Sequence, residues 1–303
     1  MAHEETVYDA LDAAHGGGGQ WAFGTGFDDP LTGVDLTVSD GVDPADLGAY
    51  CLMLGDDALV LAQRLTEWIT AAPELEEEVA FGNTALDLLG QARLLLARAG
   101  SVGVLGSSRD RATATVPDED ALAYFRDADE FRCTGLVAAG NGDFGQTMVR
   151  LLAASAVRLA VFARLRDSRD PVLAAVAAKG VHELAYHRDH AARWVLRLGD
   201  GTAESHRRAQ AGVDAVWPHL ADLFTATDVE SRLAAAGVAV DPADVREEVH
   251  DVLSTVLTRA TLRVPDRLGD VAPRGRAGVH APELTGLLGT LQGLARQHPA
   301  ATW

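Results

Sequence analysis

Cysteine is scarce in this chain: Cys51 and Cys133 are the only two among 303 residues. Each sits in an apolar helical pattern, and no C-x-x-C or metal-type spacing occurs. A disulfide framework is therefore not expected, and a reducing cytoplasm is the expected setting. Lysine is scarcer still. Lys179 stands alone, and arginine supplies nearly all the positive charge against 44 acidic residues, for a net charge of −18. That surplus argues against nucleic acid or an anionic membrane as a partner. No uncharged apolar run reaches the 18 residues of a membrane span, and no basic start followed by an apolar run resembles a signal peptide. Strand-like alternation between hairpin turns is missing too. "AAGNGDFGQ" is glycine-rich but lacks the lysine and spacing of a phosphate loop. The serines and cysteines have no G-x-S-x-G or matched histidine, so nucleophilic catalysis has no support.

What remains is helical. Hydrophobic residues make up 48% and charged residues 23% of the chain, an ordinary globular balance. Residues 1–42 stand apart as an extended arm rich in glycine, aspartate and turn dipeptides. Its Trp21, Phe23 and Phe27 are either docking groups, on this chain or a partner, or parts of a disordered tail. Residues 43–303 form the helical domain. "DPADLGAYCLMLGDDALVLAQRLTEWITAA" opens with an aspartate cap and a first-turn proline. "PELEEEVAFGNTALDLLGQARLLLARAG" has glutamates in its first turn and arginines in its last, as the helix dipole favours. After the short helix "DEDALAYFRDADEFR", the third and fourth long helices are "GDFGQTMVRLLAASAVRLAVFARLRDS" and "DPVLAAVAAKGVHELAYHRDHAARWVLRLGD". Asp143 or Asn141 is the expected cap of the third. Helices follow in "ESHRRAQAGVDAVWPHLADLF", "DPADVREEVHDVLSTVLTRATL" and "HAPELTGLLGTLQGLARQ". The second and fourth long helices read as apolar almost all round, which predicts that they are central. The architecture expected is all-α: a four-helix bundle with additional helices and an extended N-terminal arm.

The chemistry concentrates in "VHELAYHRDH", Val181 to His190. A zinc-protease helix needs histidines four apart. His182 and His187 are five apart and point about 140° away from each other. Glu183, His187 and His190 share a face within about 60°, together with Val176, Gly180 and Trp194. On the second helix Asn83, Asp87 and Gln91 are each four apart. Two helices thus present a carboxylate followed four residues later by a nitrogen-bearing side chain, Asp87/Gln91 and Glu183/His187. This resembles the metal core of a ferritin-like carboxylate bundle, which takes a Glu-x-x-His from each of two helices and a glutamate from each of the others. The donors here are too few. Leu184 and Leu88 stand three before His187 and Gln91, and no Asp or Glu lies between Asp143 and Asp167 on the third helix. The expected arrangement is a vestigial polar core of Asp87, Gln91, Glu183 and His187, its carboxylates partnered by Gln63, Arg64, Arg150, Arg158 or His187 itself. The competing readings are surface groups paired locally, or a mononuclear site of Glu183, His187 and His190.

Several stretches together, in one order from Asp46 to Trp303, resemble the C-type subunits of the phenylacetyl-CoA epoxidases, the PaaC family. They are "LGDDALVLAQRLTEW", "APELEEEVAFGNTALDLLGQARLLL", "DEDALAYFRDADEF", "NGDFGQTMVRLL", "SRDPVLAAVAAKGVHELAYHRDHAARWVLRLGDGT" and the closing tryptophan. The resemblance implies a ferritin-like, catalytically silent, cytoplasmic subunit. Its partners would be a homologous di-iron catalytic subunit that binds the CoA thioester, a further small subunit, and a reductase with flavin and an iron–sulfur cluster. That complex converts phenylacetyl-CoA to its ring 1,2-epoxide with O2 and NADPH, with no metal or cofactor in the silent subunit itself. The resemblance also implies contacts with phenylacetyl-CoA near Glu130, Phe131, Arg132 and Cys133, and near Ser231, Arg232 and Leu233. Arg132 and Arg232 would meet CoA phosphates or be plain surface arginines. The alternative reading of the whole chain is a metal-binding ferritin-like oxygenase catalytic in its own right. His206, His219, His250 and His280 read as surface or capping groups, and Trp68, Trp194, Trp217 and Phe162 as core or interface anchors.

Overall fold

The structure, a computed structural model, describes residues 31–104, 116–266, 274–299 and 301. Trp21, Phe23, Phe27 and Trp303 lie outside the described residues. Among those described there is no strand. Four long helices carry the fold: α1 (Pro44–Thr66), α2 (Leu75–Ser101), α5 (Phe144–Leu165) and α6 (Pro171–Gly199). Shorter ones fill the connections: α3 (Asp118–Tyr124), α4 (Gly135–Ala138), α7 (Ala203–Val216), α8 (Asp228–Ala235), α9 (Arg246–Arg259) and α10 (Pro282–Gln297). Two of the expected later helices begin or end in a 3-10 turn, Trp217–Phe224 after α7 and Pro242–Val245 before α9.

Local chemistry explains where the long helices begin. The carboxylates of Asp43, Asp143 and Asp170 accept from the backbone N–H of Ala45, Gln146 and Leu173, each satisfying a first-turn donor that no helical carbonyl reaches. Asp143, rather than Asn141, is thus the cap of α5. Pro44 and Pro171 occupy the first turn, where a missing N–H costs nothing.

Packing joins α1 to α2 and α5 to α6 as pairs, and α2 faces α6 across the bundle. The expected order of centrality is corrected here. α1 and α5 are the buried helices, with Leu47, Cys51, Val60, Leu65, Met148, Leu152 and Phe162 all nearly inaccessible. α2 and α6 lie against them with one face outward. α2 reads as apolar all round because it carries two apolar faces. One packs inward through Phe81, Leu88, Ala92 and Leu95; the other exposes Leu75, Val79, Leu86 and Leu89. α7 and α9 cover α5, and α10 packs on α3 and α1.

Buried ion pairs tie these elements together. Arg98 of α2 meets Asp170 at 2.5 Å, while the other oxygen of Asp170 caps α6. The same guanidinium donates to the carbonyl of Leu36, and Arg169 donates to that of Asp40. Residues 36–40 of the segment read as an arm are fastened in this way. Trp68, Phe81, Phe144 and Trp194 form an aromatic cluster at the end of the bundle, with Phe144 and Trp194 edge-on at 4.9 Å. Within the described residues no helix is long and apolar enough to cross a membrane.

Candidate functional site

The polar groups predicted on α2 and α6 do meet, but crosswise. His187 Nε2 lies 2.9 Å from Asp87 Oδ2, and Gln91 Nε2 donates to Glu183 Oε2 at 2.8 Å. The helices run antiparallel here, so the carboxylate of each pairs with the nitrogen of the other. A turn further along α6, His190 Nε2 and Glu77 Oε2 stand 3.0 Å apart without hydrogen-bond alignment. Two hydrogen-bonded rungs thus fasten α2 to α6. His187 is fully buried, whereas the Asp87 side chain is 39% exposed and bears little desolvation cost. Asn83 is exposed and takes no part in this core.

Of the five partners expected for these groups, two are there: His187, on Asp87, and Arg158. Arg158 of α5 donates from Nε to Gln91 Oε1 at 2.8 Å and from Nη1 to the carbonyl of Leu54 on α1 at 2.9 Å. Its guanidinium lies 4.5 Å over the Phe162 ring. Burial lowers its pKa to about 10, so it is a cation at neutral pH. The other two arginines serve loops instead. Arg150 donates to the carbonyls of Ala139 and Gly140 and to Asn141 Oδ1, and Arg64 to those of Ala138 and Glu283. No hydrogen bond is described for the Gln63 side chain; its carbonyl accepts from Thr66.

These residues do not fit a di-iron pair. Such a pair takes carboxylates from all four helices. Here α1 contributes a carbonyl, α5 a guanidinium and α2 an amide, and each remaining carboxylate is committed to a nitrogen partner. Among the described residues no three His, Cys, Asp or Glu side chains gather in a way that holds a metal ion.

A second polar cluster went unpredicted. Asp56 and Asp57 interrupt the apolar run of α1, and "LGDD" was the only trace of it in the sequence. Asp56, fully buried, pairs with Arg126 Nη1 and Nη2 at 3.0 and 2.5 Å and accepts the backbone N–H of Arg132 at 2.7 Å. Asp57 accepts the N–H of Thr134 and pairs with Arg276 at 2.7 Å. Burial works against the charge of Arg276, but Asp57, Glu230 and Asp222 outweigh it and raise its pKa. Two adjacent aspartates thereby hold the segment 131–134 from beneath.

That segment carries most of the first set of substrate contacts implied by the resemblance. Phe131 and Cys133 are fully buried, and so is Leu233 of the second set. Glu130 caps the N–H of Asp127, and Arg132 turns its guanidinium onto the carbonyls of Asp129 and Phe131. Arg232 is paired with Asp46, and Ser231 is exposed. The residues next to the two sets, Thr134 and Glu230, line one cavity of about 60 Å3, together with Asp57, Arg158 and Arg276. A wider cleft of about 410 Å3 runs past Gly135, His219, Asp222 and His280. Burial lowers the pKa of His219 and raises that of Asp222. His206 bonds the carbonyl of Gly199, as a capping group would, while His280 holds that of Phe131 inside the loop.

An all-α bundle in which two of the four long helices, α2 and α6, meet through carboxylate–nitrogen rungs is ferritin-like in design. The chain belongs to the family described as phenylacetic acid catabolic protein, whose sequence model matches residues 39–303. Within that class it is similar to the C subunit of the 1,2-phenylacetyl-CoA epoxidase of Escherichia coli (strain K12). The two are 39% identical over 257 residues, covering 85% of this chain and 99% of that protein.

Proposed function

We propose that this chain is the non-catalytic helical subunit of a cytoplasmic 1,2-phenylacetyl-CoA epoxidase. It pairs with a homologous di-iron catalytic subunit, with a further small subunit and a reductase completing the complex. The di-iron centre belongs to the partner, and the flavin, iron–sulfur cluster and NADPH belong to the reductase. The role of this chain is to support the catalytic subunit, with phenylacetyl-CoA touching it near 130–133 and 231–233.

The observation that carries this reading is the outer face of α2. Leu75, Val79, Gly82, Leu86 and Leu89 recur at spacings of four, three, four and three, and the four larger side chains are exposed. That period lays a straight apolar stripe along a 27-residue helix, the pattern with which one long helix docks on another at a shallow angle. Tyr186 of α6 is exposed as well. A homologous bundle has long helices to offer such a stripe. The internal pairing of Asp87, Gln91, Glu183 and His187 supports the non-catalytic half of the reading.

Co-expression with the catalytic subunit tests it. The two chains are expected to co-purify, and epoxidation to be lost when this chain is omitted. Leu86→Glu with Leu89→Glu is expected to abolish co-purification while leaving the Tm of the isolated chain unchanged. Iron-dependent, NADPH-coupled turnover by this chain alone would refute the proposal.

A further inference from the structure

We infer that the Arg158 guanidinium is a built-in cation at the junction of the four long helices, and that it bars divalent metal from that junction. The inference rests on the non-catalytic reading and concerns how that state is held. All four helices deliver a group to this point. α1 presents the Leu54 carbonyl, α2 the Gln91 amide, α5 Arg158 itself over the Phe162 ring, and α6 the Glu183 carboxylate.

Gln91 is the hinge of the arrangement. Its oxygen accepts from Arg158 and its nitrogen donates to Glu183. A neutral amide thus connects a fixed positive charge to a carboxylate with which it has no described hydrogen bond. A carboxylate or imidazole at 91 would be a metal ligand, whereas an amide is a poor one. Arg158 Nη2 is buried and unpartnered, and the residue lines the 60 Å3 cavity with Leu88, Ser155 and Leu184. A metal ion entering this point would stand beside a like charge that has no solvent to screen it. It would also have to displace the amide from Glu183. Exclusion therefore follows from a seated cation as well as from missing ligands.

The test uses cobalt(II) and zinc(II) titrated into the purified full-length chain, read by calorimetry and by the cobalt ligand-field spectrum. Wild type is expected to show no tight site at the junction. Arg158→Glu replaces the cation with a carboxylate facing Gln91 and Glu183. It is expected to gain one site per chain at least 100-fold tighter than any in wild type. Arg158→Glu with Glu183→Gln is expected to lose that site. Arg158→Glu that folds, by circular dichroism, and binds no metal would overturn the inference. Gln91→Glu with Arg158 intact adds a ligand but keeps the cation, and is expected to remain metal-free. Cobalt bound there, or at Glu183 in wild type, would overturn the inference whether or not the Arg158 variant folds. Loss of co-purification with the catalytic subunit would instead count against the proposed function, since none of these titrations involves that partner.

Discussion

Replacing Asp56 with asparagine removes one charge and nearly no volume from the interior of α1. Asp56 is 0% exposed and its Arg126 partner 8%, so neither is screened by water. Three donors converge on the carboxylate, two from Arg126 and the N–H of Arg132. The guanidinium is also held by the carbonyls of Leu122 and Glu130 and lies 4.2 Å over the Phe131 ring, so it cannot swing to solvent when its counter-charge goes. Asp56→Asn therefore leaves a buried cation uncompensated and turns an amide donor toward groups that are themselves donors. Breaking one side of such a pair costs about 3–5 kcal/mol. For a chain of this size, that is a fall in Tm of roughly 6–10 °C, at about 2 °C per kcal/mol. Thermal unfolding followed by circular dichroism reads the loss. Hydrogen exchange should show the peptide across Phe131–Thr134 losing protection first. Asp56→Leu with Arg126→Met removes both charges together and is expected to recover most of the loss, since paired removal leaves no orphan. A fall below about 1 kcal/mol, the scale of an exposed pair, would refute the reasoning. So would a double variant no more stable than the single one.

Gly180→Ala places a methyl 2.7 Å from the Phe162 ring and 3.3 Å from Gln91 Nε2, because α6 and α5 approach without a side chain between them. A loss of about 1–3 kcal/mol is expected in chemical denaturation, and Phe162→Leu in the same chain should restore part of it. The pKa of His219 is held below its usual value by burial, with Arg150 adding to the effect against Asp222. The unfolded chain therefore takes up this proton first, and the stability contributed here falls as pH drops below about 6.5. His219→Gln should lose less Tm between about pH 7 and pH 5.5 than wild type; parallel curves would show that burial does not govern this group.

Helix boundaries were open to local reading because local chemistry sets them. Asp43, Asp143 and Asp170 announce three of the four long helices, and each carboxylate does bond a first-turn N–H. The shared face of Glu183, His187 and His190 follows from 3.6 residues per turn, and His187 is indeed buried between α6 and α2. The burial of α2 was misjudged for an equally physical reason. Apolar character records that a face avoids water, but it does not distinguish the core of one chain from a surface kept for another. Arg64, Arg150 and Arg158 look alike as basic residues in apolar helices, yet only Arg158 reaches the Asp87–Glu183 region, because the others meet helix-end carbonyls first.

By itself, the sequence determined an all-α chain and the caps and periods of its long helices. These follow from side chains within a few residues of one another. Only the tertiary structure decided which helices are central, that Asp87 pairs with His187 and Gln91 with Glu183, and that Asp56 and Asp57 underpin the 131–134 segment. Each of these depends on the register of one helix against another. That register is set by the summed packing of residues some 70 to 220 positions apart, and no local pattern along the chain encodes it.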